Sequence, residues 1–185
     1  MPEKRNITTL AHEWAAERLR AGDLAIDATC GNGHDTLFLA KSVGENGRVA
    51  AFDIQPEAIE SARKRIEKSG LENVDFFLLG HEKMLSVLGE KWLGNVSAVF
   101  FNLGYLPRSD KSITTHGDTT LRALEAARKM LAHGGIISIA VYTKHLGGFE
   151  ESARIRDFAE HAGAQEIRRF GAHNPETPWL VRLAF

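Results

Sequence analysis

DATCGNGHDT, residues Asp27 to Thr36, follows an apolar run from Leu24 to Ala28 and leads into an amphipathic segment from Asp35 to Ser42. The apolar run has the length of a strand, and the amphipathic segment has helical periodicity. Between them, Gly31 and Gly33 let the backbone come close to a ligand, because glycine has no Cβ. The segment therefore predicts a strand, a glycine-bearing loop and a helix in succession.

The same alternation of strands and helices continues outward from this segment. A leading helix is predicted over Thr8 to Leu19, with Asn6, Thr8 or Thr9 as its cap, because apolar residues recur there near helical spacing. Regular alternation predicts a mostly parallel sheet with helices on both faces. Further strands are predicted at Arg48 to Asp53, Val74 to Leu79, Val96 to Phe101, Ile136 to Tyr142, Gln165 to Phe170 and Trp179 to Ala184, and further helices at Glu57 to Ser69, Met84 to Gly89, Thr119 to Ala132 and Glu150 to His161.

The last two predicted strands are joined by a loop through Pro175 to Pro178. This connection is too short for a helical crossover, so the two strands should pair as an antiparallel hairpin. A mostly parallel sheet of seven strands that ends in a reversed strand is the arrangement of Rossmann-like class I methyltransferases rather than of dehydrogenases, by analogy of fold. With 185 residues, the chain is expected to form one such α/β domain, residues 1–185.

Composition and charge limit the classes of function. Hydrophobic residues make up 43% and charged residues 25%, which is typical of a globular protein and excludes a disordered chain. Since the formal net charge is −1, any nucleic-acid contact must use a local patch. The single cysteine, Cys30, and the lack of a secretory signal or a long apolar segment predict a cytoplasmic location without membrane insertion. No metal-binding cluster is visible.

The glycine-bearing loop indicates which cofactor the chain would bind. A dinucleotide loop has a third glycine and receives pyrophosphate at the helix N-terminus, but Asp35 and Thr36 stand in that region here. An acid at this position opposes a phosphate. S-adenosylmethionine has no phosphate and carries an ammonium and a sulfonium group, which the carboxylates of Asp27 and Asp35 would favour. The loop therefore predicts S-adenosylmethionine.

Residues after the second and third predicted strands fit the adenosine half of this cofactor. Asp53 ends the second strand, where an acid accepts hydrogen bonds from both ribose hydroxyls, and Gln55 would assist. Gly80 and His81 follow the third strand and would flank the adenine. An Asp that ends a strand is also a common helix cap, so the combination, not any single residue, favours a cofactor site. Cys30 is interpreted as a packing residue because no paired base is visible.

The fourth predicted strand ends in FNLGYLP, Phe101 to Pro107, which indicates the transfer chemistry. In register with the N-P-P-Y motif of amino-group methyltransferases, the Asn102 side chain and the Leu103 carbonyl would accept an amine N–H. Tyr105 would then stack on a base. Two of the four motif positions differ. Methyl transfer from a sulfonium is an in-line displacement, so the enzyme mainly holds a neutral nitrogen near the methyl carbon.

Two polar segments are candidates for contacting the substrate. The segment from Arg108 to Thr120 is long for a connection without structure and is interpreted as a substrate-binding or lid loop. The segment VYTKHLGGFEE, Val141 to Glu151, follows the fifth predicted strand, and the alternative for it is a solvated turn before a helix. The candidate substrate-binding residues are Tyr105, Arg108, Thr115, Tyr142 and His145.

Four segments together resemble one bacterial family: DATCGNGHDT, FNLGYLP with the following DKSITT, Y-x-x-H-x-G-G from Tyr142 to Gly148, and the closing NPETPWL. This family, formerly catalogued as “putative rRNA methylases”, comprises the MnmM-like tRNA methyltransferases, and the resemblance covers nearly the whole chain. It implies methylation by S-adenosylmethionine of the exocyclic amine of 5-aminomethyl-uridine, often 2-thiolated, at wobble position 34 in the tRNA anticodon loop. The product would be the 5-methylaminomethyl form.

The resemblance also implies site residues and an assembly. Asn102 and Tyr105 would be catalytic, and the family suggests a homodimer that joins basic residues into a tRNA surface. Two positions depart from the family: Lys144 stands where glycine is expected, and Phe185 ends the chain where a basic residue is usual. The expected cofactor residues are Asp27, Thr29, Gly31, Asn32, Gly33, Asp35, Thr36, Asp53, Gln55, Gly80, His81 and Asn102, and the basic residues are Arg122, Arg128, Arg168 and Arg169.

Three other functions stay open at this point. The same enzyme class would also fit ribosomal RNA, another tRNA position, a protein or a metabolite as acceptor. A nicotinamide dehydrogenase is disfavoured because the third loop glycine and a separate substrate domain are missing. A non-catalytic module that binds S-adenosylmethionine would show binding without turnover, and the FNLGYLP segment argues against it.

Overall fold

The computed structural model describes residues 6–106, 114–145, 147–171 and 176–185, and the helices and strands named here lie within these ranges. The helices are α1 (Ile7–Arg18), α2 (His34–Val43), α3 (Pro56–Lys68), α4 (Met84–Leu88), α5 (Gly117–Met130) and α6 (Gly148–His161). The strands are β1 (Leu24–Asp27), β2 (Arg48–Asp53), β3 (Val74–Leu78), β4 (Val96–Leu103), β5 (Leu131–Val141), β6 (Glu166–Arg169) and β7 (Trp179–Ala184). Single 3₁₀ turns span His81–Lys83 and Glu90–Trp92.

The strands form one sheet in the order β3-β2-β1-β4-β5-β7-β6. The pairs from β3 to β5 are parallel, whereas β7 runs antiparallel to both β5 and β6. The predicted Rossmann-like sheet with a reversed last strand is therefore confirmed. Because β1 and β4 are neighbours while the chain leaves them toward opposite edges, a crevice is expected at their carboxyl ends.

Both faces of the sheet are packed against helices. Phe100 and Phe101 of β4 belong to opposite faces, as alternation along a strand requires. Apolar side chains of α1, α2 and α3 cover one face, and those of α4, α5 and α6 cover the other. No helix in the described ranges has the length and apolar character needed to cross a bilayer.

Several predicted boundaries differ from the observed ones: β5, for example, begins at Leu131 rather than Ile136. The end of β4 is the boundary that matters for the site. β4 continues past Phe101 to Leu103, because Asn102 and Leu103 pair with Ala140 and Val141 of β5. Asn102 is thus held within the sheet rather than on a loop. In addition, α5 ends at Met130 instead of Ala132, and the residues after it enter β5, where the backbone N–H of Gly134 bonds to the carbonyl of Phe185 at 2.6 Å.

Gly33 has a packing role that the sequence did not indicate. It precedes α2 with φ at +76°, and a Cβ added there would lie 2.6 Å from the Cα of Ala62 on α3. At this position the absence of a Cβ allows the close approach of a neighbouring helix. Without a side chain at Gly33, the loop after β1 can rest on α3.

We expect Gly33→Ala to lower the free energy of unfolding by about 2–4 kcal/mol, since it adds both a backbone conformation unfavourable to alanine and a clash with α3. Gly70→Ala is the matched control, because Gly70 has a similar φ of +68° but open space around its Cβ position. The control should lose only about 1–2 kcal/mol. Urea denaturation measures both values, and equal losses would show that the contact with α3 is unimportant.

Candidate active site

A cleft of about 1020 Å³ opens at the carboxyl ends of β1, β2, β3, β4 and β5. This is the crevice expected where the strand order reverses. The predicted site residues that line it are Thr29, Gly31, Asn32, Asp35, Asp53, Gln55, Gly80, His81, Asn102, Tyr105, Thr115 and Tyr142. Asp27, Gly33, Thr36 and His145 are not among the lining residues. Arg108 lies outside the described residues.

Asp53 organises one end of the cleft. Its Oδ2 accepts the backbone N–H of Gly31 at 2.9 Å, and its Oδ1 accepts that of Gln55 at 3.0 Å. Burial raises the pKa of Asp53, and these backbone hydrogen bonds oppose the rise. The carboxylate thereby joins the loop after β1 to the start of α3. Since a carboxylate can accept about four hydrogen bonds, it keeps capacity for a ligand.

His81 lies beside this end of the cleft and is only 7% exposed. Its Nδ1 is 3.3 Å from the carbonyl oxygen of Ala28, and its ring meets Phe101 edge-on. Burial lowers the pKa of His81, which favours the neutral ring. Because Nδ1 faces a carbonyl oxygen, the neutral ring carries its proton there and keeps Nε2 as an acceptor.

The other end of the cleft is built around Asn102. Its backbone N–H donates to Thr29 Oγ1 at 2.7 Å, and its side-chain Nδ2 donates to Asp35 Oδ2 at 2.7 Å. His12 Nε2 lies 2.6 Å from the other oxygen of Asp35. Because an ionised carboxylate only accepts, the amide nitrogen of Asn102 faces Asp35 and the amide oxygen Oδ1 points away from it. His12 was missed from the sequence, where it was one position in a leading helix.

The predicted role of the Leu103 carbonyl is not supported. This carbonyl accepts the backbone N–H of Tyr142 at 3.0 Å, and Leu103 is fully buried. The bond continues the pairing of β4 with β5 beyond the last ladder residue. Of the two acceptors inferred from the N-P-P-Y register, Asn102 is therefore the one whose side chain lines the cleft.

Asp27 and Thr36 lie behind the lining rather than in it. Asp27 is fully buried and accepts the Thr36 hydroxyl at 2.7 Å and the Thr29 backbone N–H at 3.3 Å. Burial, followed by the nearby charge of Asp35, raises the pKa of Asp27 to about 7. Their placement does not support direct contact with a cofactor. Cys30 is also buried, and burial raises the pKa of its thiol, which agrees with a packing role.

The segment after β4 is fastened to α6 through a buried acid. Glu151 is 2% exposed and accepts the hydroxyls of Thr115 and Thr120, each at 2.7 Å. His145 Nε2 lies 3.6 Å from the same carboxylate, which places His145 behind the lining. The backbone N–H of Thr115 donates to the carbonyl of Gly104. Glu151 was missed because an acid in the first turn of a helix is usually solvated.

The basic residues expected to bind tRNA do not line the cleft. Arg168 is paired with Glu166, and the guanidinium of Arg128 lies 5.2 Å from the ring centroid of Phe185. Phe185, which ends the chain where the family usually has a basic residue, thus packs against Arg128. Lys144, which stands where the family has glycine, lines the cleft, and its Nζ lies 3.2 Å from Glu176 Oε2.

Two family models match parts of the chain. The model described as “Putative rRNA methylase” matches residues 49–175. A second model, of protein-L-isoaspartate O-methyltransferase, matches residues 4–81. Together they place methyltransferase families on both the glycine-bearing loop and the fourth strand.

Individual relatives match along almost the entire chain. A chloroplastic tRNA (mnm(5)s(2)U34)-methyltransferase of Arabidopsis thaliana is 40% identical over 96% of this chain, which spans 63% of that protein's length. A Clostridium thermocellum structure described as a “putative rRNA-methylase” is 36% identical, with a TM-score of 0.86 and 98% of each chain covered. A Streptococcus mutans structure in complex with SAH, described as “a putative methyltransferase”, is 31% identical, with a TM-score of 0.82, covering 97% of this chain and 98% of that one.

The raised pKa of Asp27 predicts a specific pH dependence. The folded protein holds the Asp27 proton more tightly than the unfolded chain, whose pKa is near 3.8, so this stabilisation is complete below about pH 4 and is lost as the pH rises through about 7. Relative to the unaltered protein, Asp27→Asn should therefore gain stability between these pH values. At about 1.4 kcal/mol per pKa unit, the gain is at most about 4 kcal/mol.

Urea denaturation from pH 4 to pH 8 measures this difference. Glu45→Gln removes an exposed carboxylate between α2 and β2 and shows how much of the change comes from net charge alone. A constant difference between Asp27→Asn and the unaltered protein across this range would contradict the assignment.

Proposed function

Because the chain belongs to the family described as “Putative rRNA methylase”, we propose that it is an S-adenosylmethionine-dependent N-methyltransferase of tRNA. The acceptor is the exocyclic amine of 5-aminomethyl-uridine, with or without 2-thiolation, at wobble position 34, and the product is the 5-methylaminomethyl form. The observation that carries this proposal is the Asn102 amide, which is held in the cleft with its nitrogen on Asp35 and its oxygen turned away. The name of the plant relative describes a tRNA methyltransferase and includes mnm(5)s(2)U34, which agrees with this proposal.

The cleft suits S-adenosylmethionine in size and in charge. Its volume of about 1020 Å³ lies at the upper end of small-molecule sites, which leaves room for an acceptor nucleoside beside the cofactor. Asp53 and Gln55 would hold the ribose, while Gly80 and His81 would flank the adenine. Asp35 would attract the cationic methionine end, where a phosphate would be repelled. When bound, the cofactor supplies an electrophilic methyl group on sulfonium.

The chain's own contribution to transfer is to hold the amine. Asn102 Oδ1 would accept an N–H of the amine, which orients the nitrogen lone pair and stabilises the positive charge that develops on it. A preorganised polar group in a site sheltered from water contributes about 3–4 kcal/mol to such a step. Tyr105 and Tyr142 line the same part of the cleft and would stack on the uracil base.

The assembly and location belong to the same proposal. We take residues 1–185 as one catalytic domain that acts as a homodimer in the cytoplasm on the anticodon loop. The buried single thiol is compatible with a reducing compartment. Arg122, Arg128, Arg168 and Arg169 would then reach the RNA from outside the cleft. Ribosomal RNA as acceptor, or binding without transfer, are the alternatives that the first experiment below separates.

The first experiment is methyl transfer from labelled S-adenosylmethionine to bulk tRNA from cells that lack their own wobble-amine methylation, followed by nucleoside mass spectrometry. We expect labelled 5-methylaminomethyl-uridine or its 2-thio form. Ribosomal RNA from the same cells is assayed in parallel. Label in ribosomal RNA alone would show that the acceptor is ribosomal RNA and not tRNA. Binding of S-adenosylmethionine in a calorimeter without any methylated product would favour the non-catalytic alternative.

Asn102→Ala should keep the affinity for S-adenosylmethionine within about tenfold but lower the transfer rate by about 10²–10³-fold, because one preorganised acceptor is removed. Asn95→Ala is a matched control, since Asn95 is an exposed residue just before the other end of β4. Calorimetry gives the affinity, and single-turnover kinetics gives the rate. Equal losses of binding and transfer would assign Asn102 to the cofactor instead.

A further inference from the structure

Three side chains from different elements form one hydrogen-bonded chain at the transfer end of the cleft. His12 comes from α1, Asp35 from the first turn of α2 and Asn102 from β4. The Asp35 carboxylate accepts from both others, with His12 Nε2 at 2.6 Å on Oδ1 and Asn102 Nδ2 at 2.7 Å on Oδ2. All three residues line the cleft. The function proposed above uses Asn102 directly and Asp35 through its charge, but gives His12 no role.

The orientation of an amide depends on its partners, because its oxygen and nitrogen ends are nearly equal in shape and opposite in hydrogen bonding. Asp35 keeps the Asn102 nitrogen toward itself only while one of its two equivalent oxygens points at Asn102, as Oδ2 does here. A carboxylate can rotate about its last bond, and a donor fixed on the opposite oxygen opposes that rotation. His12 is such a donor, since Nε2 must carry a proton to bond to Oδ1.

His12 is itself held in place by packing. Its ring stacks on Phe38 of α2, with centroids 3.8 Å apart and planes within 4°, and Phe100 of β4 lies further along at 6.1 Å. The His12 side chain is 26% exposed, and that of Asp35 only 12%. A partly buried ring between an aromatic face and a carboxylate has few alternative positions. Phe38 therefore holds the ring of His12, His12 holds the carboxylate of Asp35, and Asp35 holds the amide of Asn102.

We propose that His12 is a positioning residue for methyl transfer, which holds the Asp35 carboxylate so that the Asn102 amide presents its oxygen to the acceptor amine. This inference rests on the proposed function. It also gives α1 a part in the site, although α1 lies outside the strand-helix alternation that builds the sheet. His12 acts through Asp35 and exchanges no proton with the substrate in this role.

Two substitutions separate the hydrogen bond from the packing. His12→Gln keeps an N–H donor near the position of Nε2, whereas His12→Leu keeps an apolar group against Phe38 and removes the donor. His161→Leu, at a histidine on α6 that is 79% exposed, is the control for exchanging a histidine for leucine. Should His12→Leu fail to fold, His12→Asn replaces it, because its shorter amide does not reach Asp35.

We expect His12→Leu to lower the single-turnover rate by about 10–100-fold, the range for a misplaced catalytic group. Its KM for tRNA and its calorimetric affinity for S-adenosylmethionine should stay within about threefold, and His12→Gln should recover most of the rate. A second readout does not depend on turnover. The side-chain amide resonances of Asn102, assigned by their loss in Asn102→Ala, should shift in the ¹H–¹⁵N spectrum of His12→Leu and return toward their original positions in His12→Gln.

The outcomes distinguish this inference from the proposed function. Modified tRNA from the unaltered protein, with equal rates for His12→Leu and His12→Gln, would overturn the positioning role and leave the function intact. Loss of cofactor affinity in parallel with rate, or unchanged Asn102 resonances in His12→Leu, would also overturn it. The absence of product from the unaltered protein would overturn the proposed function, and this inference with it.

Discussion

The placement of β1 beside β4 is the constraint on which the rest of the structure depends. These two parallel strands are neighbours, yet the chain leaves one toward β3 and the other toward β6. The loop after β1 stays attached to both sides of the resulting crevice, because Ala28 N–H bonds to the Phe100 carbonyl and Cys30 N–H to the Phe52 carbonyl, each at 2.8 Å. The cleft is therefore a direct product of the strand order. The loop after β1 forms one of its walls, and hydrogen bonds to both β4 and β2 hold the backbone of this loop.

Three carboxylates lie in this region, and each has a different set of hydrogen-bond partners. Asp27 lies below the surface and supports the loop, Asp53 fastens two backbone amides, and Asp35 faces two polar side chains at the cleft. Their mutual repulsion adds to burial in raising the pKa of Asp27. A bound cation relieves such repulsion, whereas a phosphate increases it. The local charge thus selects for a cationic cofactor even though the whole chain is nearly neutral.

The sequence was sufficient to predict the order of the elements, since strand and helix periodicities are local properties and the reversed β7 follows from a short connection. Most of the site residues that it predicted do line the cleft, because residues that end parallel strands meet at one edge. Where the structure differs from these expectations, the reasons are physical. Asp27 and Thr36 satisfy each other, which the spacing of nine residues did not reveal, and the Leu103 carbonyl was taken by the strand next to it. His12 and Glu151 act across distances of more than twenty residues, which no local pattern encodes.

The contacts of α1 bear on the order in which the molecule can be completed. Glu17 pairs with Arg182 of β7, Arg18 donates to the carbonyl of Gly134 in β5, and Trp14 lies under the Arg182 guanidinium. Of the described elements, α1 is synthesised first and β7 last. The helix therefore lacks part of its packing contacts until the final strand is in place. Contacts between such distant segments form slowly, because a long loop must close before they are made. A nascent chain could form the first strands and their loop early. The final position of α1, and of His12 on it, would be reached only when the sheet is complete.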